Sequence, residues 1–222
     1  MSKSRGNGVN PDELREKVGA DCLRLYICFL GPFEKDKPWS SQGIEGIQRF
    51  LERYYRFAKK SKGKSQTLSK NLETLVHQSI KKVEEDIESL SFNTAVSTLM
   101  ILLNEIYRQK LRDEKLAKTF SQLLQAFAPH LAEEMWEYLG GKGFISLAKW
   151  PEYLEEKIQI KTICIGVQVN GKTRGSVELA RDESQESALK KALQIKTVQK
   201  AIQDRPIKKC IYKQGRILSL II

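Results

Sequence analysis

The sequence holds little from which a metal or redox centre could be built. Its 222 residues include only two histidines, His77 and His130, and four cysteines, Cys22, Cys28, Cys164 and Cys210, with no CxxC pair and no histidine near a cysteine. No zinc site or disulfide framework can be read from that spacing. Apolar neighbours, Leu25-Tyr26-Ile27 before Cys28 and Ile163 and Ile165 around Cys164, predict buried structural thiols. Both histidines fall in helical patterns and read as surface or hydrogen-bonded side chains. Long apolar runs are missing too, and a mean hydropathy of -0.43 excludes a helical membrane span. The opening MSKSRGNGVNPDEL has neither the apolar segment of a secretory signal nor a lipidation box, so a cytoplasmic protein is expected, with no membrane partner. A Walker loop and a GxGxxG turn are absent as well.

What the sequence has in excess is positive charge. Thirty-eight Lys and Arg against twenty-seven Asp and Glu give +11. From Gln159 to Ile222 there are thirteen basic and five acidic residues, a net of +8, so most of the excess sits in the last quarter. A basic module of this kind points to a polyanionic partner such as nucleic acid.

A content of 41% hydrophobic residues supports a folded core, and the length suits one or two domains. Three zones follow one another. Up to Ser40, a Gly-rich opening precedes two short helices: Pro11 to Val18, with Asn10 as N-cap, Glu13 at the third position and Gly19 closing it, then Ala20 to Leu30, ending at Gly31-Pro32. Trp39 reads as an anchor in the loop that follows. From 41 to 157 apolar residues recur at three and four. One stripe is Ile44, Ile47, Leu51, Tyr54 and Ala58; the next is Leu68, Leu72, Leu75 or Val76, Ile80, Val83, Ile87 and Leu90. A third helix starts at Asn93 and a fourth at Leu116, and Pro129 is expected to kink or restart the latter. The break Ser61-Lys62-Gly63-Lys64 is expected to join antiparallel neighbours in a helical bundle. Trp136, Trp150 and the Tyr54-Tyr55 pair, at helical spacing, read as core rather than as stacking platforms for bases. From 158 to 222 the period changes to two: Thr162 to Val169, the hairpin signal Asn170-Gly171, and Lys172 to Leu179. Helices at Ser184 to Leu193 and near Val198 to Gln203 precede a strand pair, Ile207 to Tyr212 and Arg216 to Ile222, around Gln214-Gly215. The fold class is thus a mainly α helical bundle followed by a small α+β C-terminal domain.

Several segments, in order, resemble one family. MSKSRGNGVNPDELREKVGADCLRLYICFLGPFEKDKPWS is similar to the stretch of bacterial-type leucyl-tRNA synthetases that begins inside their KMSKS loop. SFNTAV and FAPHLAEEMW resemble the helical anticodon-binding-type domain of class I synthetases, and VQVNGKTRG and GRILSLII resemble that family's C-terminal domain. The resemblance covers essentially the whole chain. It implies that residues 1–40 are the KMSKS loop and connecting helices at the end of a catalytic domain, 41–157 the helical domain and 158–222 a tRNA-binding domain. The implied reaction makes leucyl-adenylate from leucine and ATP and passes the leucyl group to leucine tRNA, with Mg2+ accompanying ATP. In that family the second lysine of the signature, here Lys3, stabilises the ATP phosphates, with Ser2 and Ser4 beside it; a mobile ammonium neutralises charge that develops there.

No HIGH-like tetrapeptide is present, and the chain is too short for the nucleotide-binding core or the editing insert. The resemblance therefore implies a C-terminal part that neither activates leucine nor edits, holds no ATP or metal stably, and grips leucine tRNA rather than DNA. Its contacts are expected among Lys172 and Arg174, Lys208 and Lys209, and Lys213 and Arg216, where Lys and Arg meet phosphates. The family usually has proline and asparagine where this sequence has Gln214 and Ser219. Such a part could be the smaller subunit of a split synthetase, whose partner is then the missing catalytic part; the alternative is a free-standing RNA-binding or assembly subunit derived from a synthetase.

Overall fold

The computed structural model describes residues 9–32, 34–35, 39–158, 162–180, 183–203, 205–213 and 216–222. The chain divides into two compact units, residues 1–158 and 159–222. The first is helical: α1 (Pro11–Val18), α2 (Ala20–Phe29), α3 (Ser41–Ser61), α4 (Lys70–Glu88), α5 (Phe92–Arg108), α6 (Glu114–Leu124), α7 (Pro129–Tyr138) and a last turn, α8 (Glu155–Ile158). Among the described residues no helix is long and apolar enough to cross a membrane.

Local signals cap several of these helices within one or two residues of the expected ends. The Asn10 side chain accepts the Asp12 N–H at 3.1 Å and donates to Glu13 Oε1 at 3.3 Å, and Gly19 ends α1 at φ +84°. Ser69 caps α4 through the Leu72 N–H and Asp113 caps α6 through the Leu116 N–H. Pro129 restarts rather than kinks: α6 stops at Leu124 and Pro129 opens α7, where its missing N–H costs nothing. Ala128, the residue before it, has no side chain to cap with. Asp21 of α2 supplies the cap, accepting the Leu131 N–H at 2.7 Å and meeting His130 Nδ1 at 2.7 Å.

One apolar core runs through α2 to α7. Tyr54 stacks on Phe120 with ring centroids 4.8 Å apart and its hydroxyl meets that of Ser121, so the phenol is buried without an orphaned polar atom. Trp39 anchors as expected, its ring edge-on to Tyr26 at 5.1 Å; the Tyr26 hydroxyl donates to the Ser40 carbonyl. Gly43 is needed there, since a Cβ would lie 2.7 Å from the Tyr26 ring. Trp136 and Trp150 are half-buried and Tyr54 fully buried, whereas Tyr55 is 39% exposed.

Of Leu75 and Val76, Val76 is buried and Leu75 packs half-buried beside it. Two expectations are corrected in this unit. Leu90 is 62% exposed at φ +57°, because α4 has ended at Glu88 and its helical register no longer carries residue 90 inward. The break after Ser61 does not join side-by-side neighbours: α3 packs on α2, α6 and α7, and α4 on α5. The reason is that the connector runs on to Ser69 and is tied to the α5–α6 loop. Asp113 Oδ2 accepts the Gln66 N–H, Gln66 Oε1 accepts the Arg112 N–H, the Glu114 carboxylate accepts the Gly63 N–H, and the Glu114 N–H donates to the Lys64 carbonyl.

The second unit is a four-stranded sheet with two helices on one face. Its strands are β1 (Thr162–Val169), β2 (Lys172–Ala180), β3 (Lys209–Lys213) and β4 (Ile217–Ile221), in the order β2-β1-β4-β3, and its helices α9 (Gln185–Leu193) and α10 (Lys196–Ile202). Asn170 and Gly171 turn the β1–β2 hairpin at φ +48° and +78°, the primed turn that the dipeptide favours. Asn170 Oδ1 also accepts the Ile222 N–H at 3.1 Å, joining the hairpin tip to the last strand. β4 lies parallel to β1, a pairing that the helical crossover through α9 and α10 makes possible. Ile165, Val167, Val169, Val177, Leu179, Leu218 and Leu220 face the helices. Gly175 permits the close approach of Ile195, whose methyl carbon would be 3.1 Å from a Cβ.

The cysteines are corrected in part. Cys22 is buried, donates to the Ile44 carbonyl, and is pushed up to about 11 by desolvation. Cys164 is exposed: it pairs with Glu178 across the hairpin on the face without helices, while its neighbour Ile165 takes the inward position.

Two measurements follow. Asp113→Ala removes a helix cap and leaves the Gln66 N–H without its acceptor, so the helical unit should lose about 2 kcal/mol in urea unfolding; an unchanged midpoint would contradict the interlock. Glu183 accepts from Lys191, Ser187 and the Ala180 N–H, which hold its carboxyl down at about 2, against an ordinary value of 4.5. A depressed carboxylate stabilises above its unfolded value and loses that contribution as pH falls, so acid unfolding of the second unit between about pH 4.5 and 2 should become shallower in Glu183→Gln.

Candidate nucleic-acid interface

Because α9 and α10 cover one face of the sheet, the other face is free, and strand periodicity decides which cations it presents. On β3 the burial alternates, with Lys209, Ile211 and Lys213 outward and Cys210 and Tyr212 half-buried. Lys209 and Lys213 lie about 13 Å apart at ~3.3 Å per residue. Across from them on β4 stand Ile221, Ser219 and Ile217. The central strand presents Gln168 and Gly166, which leaves the middle of the face low in bulk.

The far edge is shaped by a bulge. Val167 pairs with Gly175 and Gln168 with Thr173, so Arg174 is the extra residue of β2. Its carbonyl accepts from the Thr197 hydroxyl, which ties this edge to the start of α10. The open face carries Thr173 and Ser176 toward the β2 edge, where exposed Arg174 occupies the bulge, and Lys209 and Lys213 on the other edge, with half-exposed isoleucines between. It has one exposed acid on β2, Glu178.

The six cations expected from sequence are all exposed, but they do not form one set. Lys208 precedes β3, its N–H bonded to the Ile221 carbonyl, and is exposed like Lys209. Lys172 pairs with the inward Val169, so the hairpin places it on the helix side. Arg216 sits in the turn before β4, its N–H bonded to the Lys213 carbonyl. On the helix side Lys172 shares the β2 edge with α10, whose exposed Lys196 and Lys200 were missed. Their spacing of four, opposite the buried Val198 and Ile202, is the signal that identifies them. Lys191 is engaged with Glu183.

Ser2, Lys3 and Ser4, expected at the ATP phosphates, lie outside the described residues, as does the Gln214-Gly215 turn. Among the described residues no group of three or more His, Cys, Asp or Glu side chains is arranged to hold a metal ion. His130 is bonded to Asp21, and His77 accepts the Leu154 N–H; desolvation, with Lys157 adding to it, lowers the His77 pKa below its ordinary value and favours the neutral ring that accepts. The arrangement offers cationic and apolar surface, which suits the binding of a polyanion.

Residues 69–192 match the model of the anticodon-binding domain of tRNA ligase, a span that runs from the cap of α4 to the end of α9 and so crosses both units. Over its whole length the chain is 47% identical to the leucine–tRNA ligase of Bdellovibrio bacteriovorus, 41% to that of Amoebophilus asiaticus and 38% to that of Protochlamydia amoebophila. It spans about a quarter of these curated relatives: 28%, 24% and 26% of their lengths. The crystal structure of the ternary complex of Agrobacterium radiobacter K84 agnB2 LeuRS-tRNA-LeuAMS superposes on the whole chain with a TM-score of 0.74 and 27% identity, over 31% of its own chain.

Proposed function

The chain belongs to the family of anticodon-binding domains of tRNA ligases, and from that premise we propose that it is the tRNA-holding C-terminal part of a leucine–tRNA ligase. The observation that carries this is the match of every part of the chain, loops and both units, to ligases of that one specificity. The longer protein joins leucine to ATP, releasing pyrophosphate, and then passes the leucyl group to the terminal ribose of leucine tRNA, releasing AMP. Residues 158–222 meet the body of the folded tRNA through Lys209 and Lys213 on the open sheet face and Arg174 at the β2 bulge, with Lys172, Lys196 and Lys200 along the β2 edge. Lysine and arginine displace counterions from phosphates, and the form of the RNA supplies discrimination.

Residues 1–40 bring Lys3, between Ser2 and Ser4, to the phosphates of substrate ATP, which arrives with its own Mg2+. An ammonium there offsets the negative charge that builds up as the adenylate forms. This part alone has no leucine site and does not complete the reaction. Residues 41–157 link the two ends, and the whole works in the cytoplasm.

The test is a titration of the chain with leucine tRNA and with a tRNA that lacks a long variable arm, at several salt concentrations. Leucine tRNA should bind more tightly at about 0.15 M salt, and R174A/K209A/K213A should weaken both and reduce the log–log salt slope by about one per residue. Failure of the chain to bind either tRNA would overturn the reading. In the longer ligase, Lys3→Ala should lower leucine-dependent pyrophosphate exchange by about 100-fold or more with tRNA affinity unchanged; equal loss of both would place Lys3 elsewhere.

A further inference from the structure

A four-stranded open sheet has two edges, and the second unit treats them differently. The β2 edge is closed from within. Arg174 forms a bulge whose carbonyl accepts from the Thr197 hydroxyl, Glu183 takes the Ala180 N–H at 2.9 Å, and α10 packs beside the strand. Along β3, the other edge, no strand or side chain of the described residues is bonded to the outer side.

Which main-chain groups point outward there follows from the ladder. The Asn170 N–H donates to the Leu220 carbonyl at 2.9 Å, so the even-numbered residues of β4 turn to β1 and the odd-numbered ones to β3. The Lys208 N–H on the Ile221 carbonyl and the Arg216 N–H on the Lys213 carbonyl agree with that phase. Lys209, Ile211 and Lys213, paired with Ile221, Ser219 and Ile217, spend their main-chain groups on β4. Cys210 and Tyr212 therefore aim their N–H and C=O groups at the free edge.

The side chains along this edge select what pairs with it. Lys209, Ile211 and Lys213 stand on the open face at a spacing of two, with Ile211 37% exposed. Among the described residues neither lysine has a carboxylate partner. Lysines on an edge discourage a second copy: whether two β3 strands met parallel or antiparallel, lysine would face lysine. They do not discourage a strand with acids at the matching positions, for which cross-strand charge pairs are favourable.

We propose that the β3 edge receives an extended acidic segment of a partner protein as a fifth strand, running antiparallel. Its main chain bonds to Cys210 and Tyr212, and two carboxylates two residues either side of an apolar residue meet Lys213 and Lys209 across Ile211. The main-chain groups of Cys210 and Tyr212 have no part in the tRNA reading above, so the proposal does not depend on it. RNA meets the same lysines but has no row of alternating N–H and C=O groups to complete the ladder.

The test titrates the full chain with a capped, labelled peptide, TDVIVET, whose acids and isoleucine share one strand face. Two controls are TKVIVKT, with the charges reversed, and TDVIVET methylated on both valine nitrogens, which would face the Cys210 and Tyr212 carbonyls. Each control should bind about tenfold more weakly or worse. K209E/K213E should exchange the preference, binding TKVIVKT over TDVIVET. Saturating TDVIVET should slow hydrogen exchange of the Cys210 and Tyr212 amides by about tenfold or more, since they pass from solvent into a ladder. Equal binding of the methylated peptide, with those amides unprotected, would overturn strand addition. Protection of the same amides by polyuridylate and not by the peptide would overturn it in favour of RNA. Protection that grows with the concentration of the chain alone would overturn it in favour of a second copy.

Discussion

Much of the helical unit turns on the carboxylate of Asp113. It accepts from the first turn of its own helix and from the Gln66 backbone 47 residues earlier, so it starts α6 and holds the α3–α4 connector in place with one side chain. An inward-facing acid is tolerated at this position because each oxygen has an N–H to accept. With the two connectors joined, α3 and α4 no longer have to lie side by side. The bundle follows that constraint, with α3 against α2, α6 and α7, and α4 paired with α5.

The same interlock has an electrostatic consequence. It brings the basic runs 59–64 and 108–115 to one end of the bundle, where Asp113 is used for backbone bonds and Glu114 is shared between the Gly63 N–H and Lys118. In the second unit the equivalent constraint is the β1–β4 parallel pairing, whose crossover places α9 and α10 on one face and leaves the other open. Strand alternation then sorts the charges: Lys209 and Lys213 to the open face, Lys172 to the helix side, with Arg174 at the bulge where alternation is interrupted. Both units thus carry unneutralised positive charge on frameworks made rigid by hydrogen bonds, an arrangement that suits a large folded polyanion better than a small ligand in a pocket.

Features governed by neighbours in sequence were legible beforehand. Asn10 with Glu13, Ser184 before α9, Pro129 at the head of α7 and Asn170-Gly171 in the hairpin each act through backbone atoms a few residues away, and each behaves as its residue type predicts. The buried stripe of α3 was equally plain, since Ile44, Ile47, Leu51, Tyr54 and Ala58 keep one helical phase throughout. Where a helix ended earlier than its pattern suggested, as at Leu90, the phase was lost and the residue turned outward. Apolar neighbours also misled at Cys164, because in a strand the neighbours face the opposite way.

The sequence by itself determined the class of each segment, the change from helical to strand period near residue 160 and, through several separate matched segments, the family. Those properties depend on local backbone preference and on the order of residues. Tertiary structure decided which cations share a surface: Lys64 with Lys115, Lys172 with α10, Lys209 with Lys213. The physical reason is that charges act through space and strands alternate their faces. Cooperation among basic residues is therefore set by the pairing of strands and the joining of loops, which no count along the chain contains.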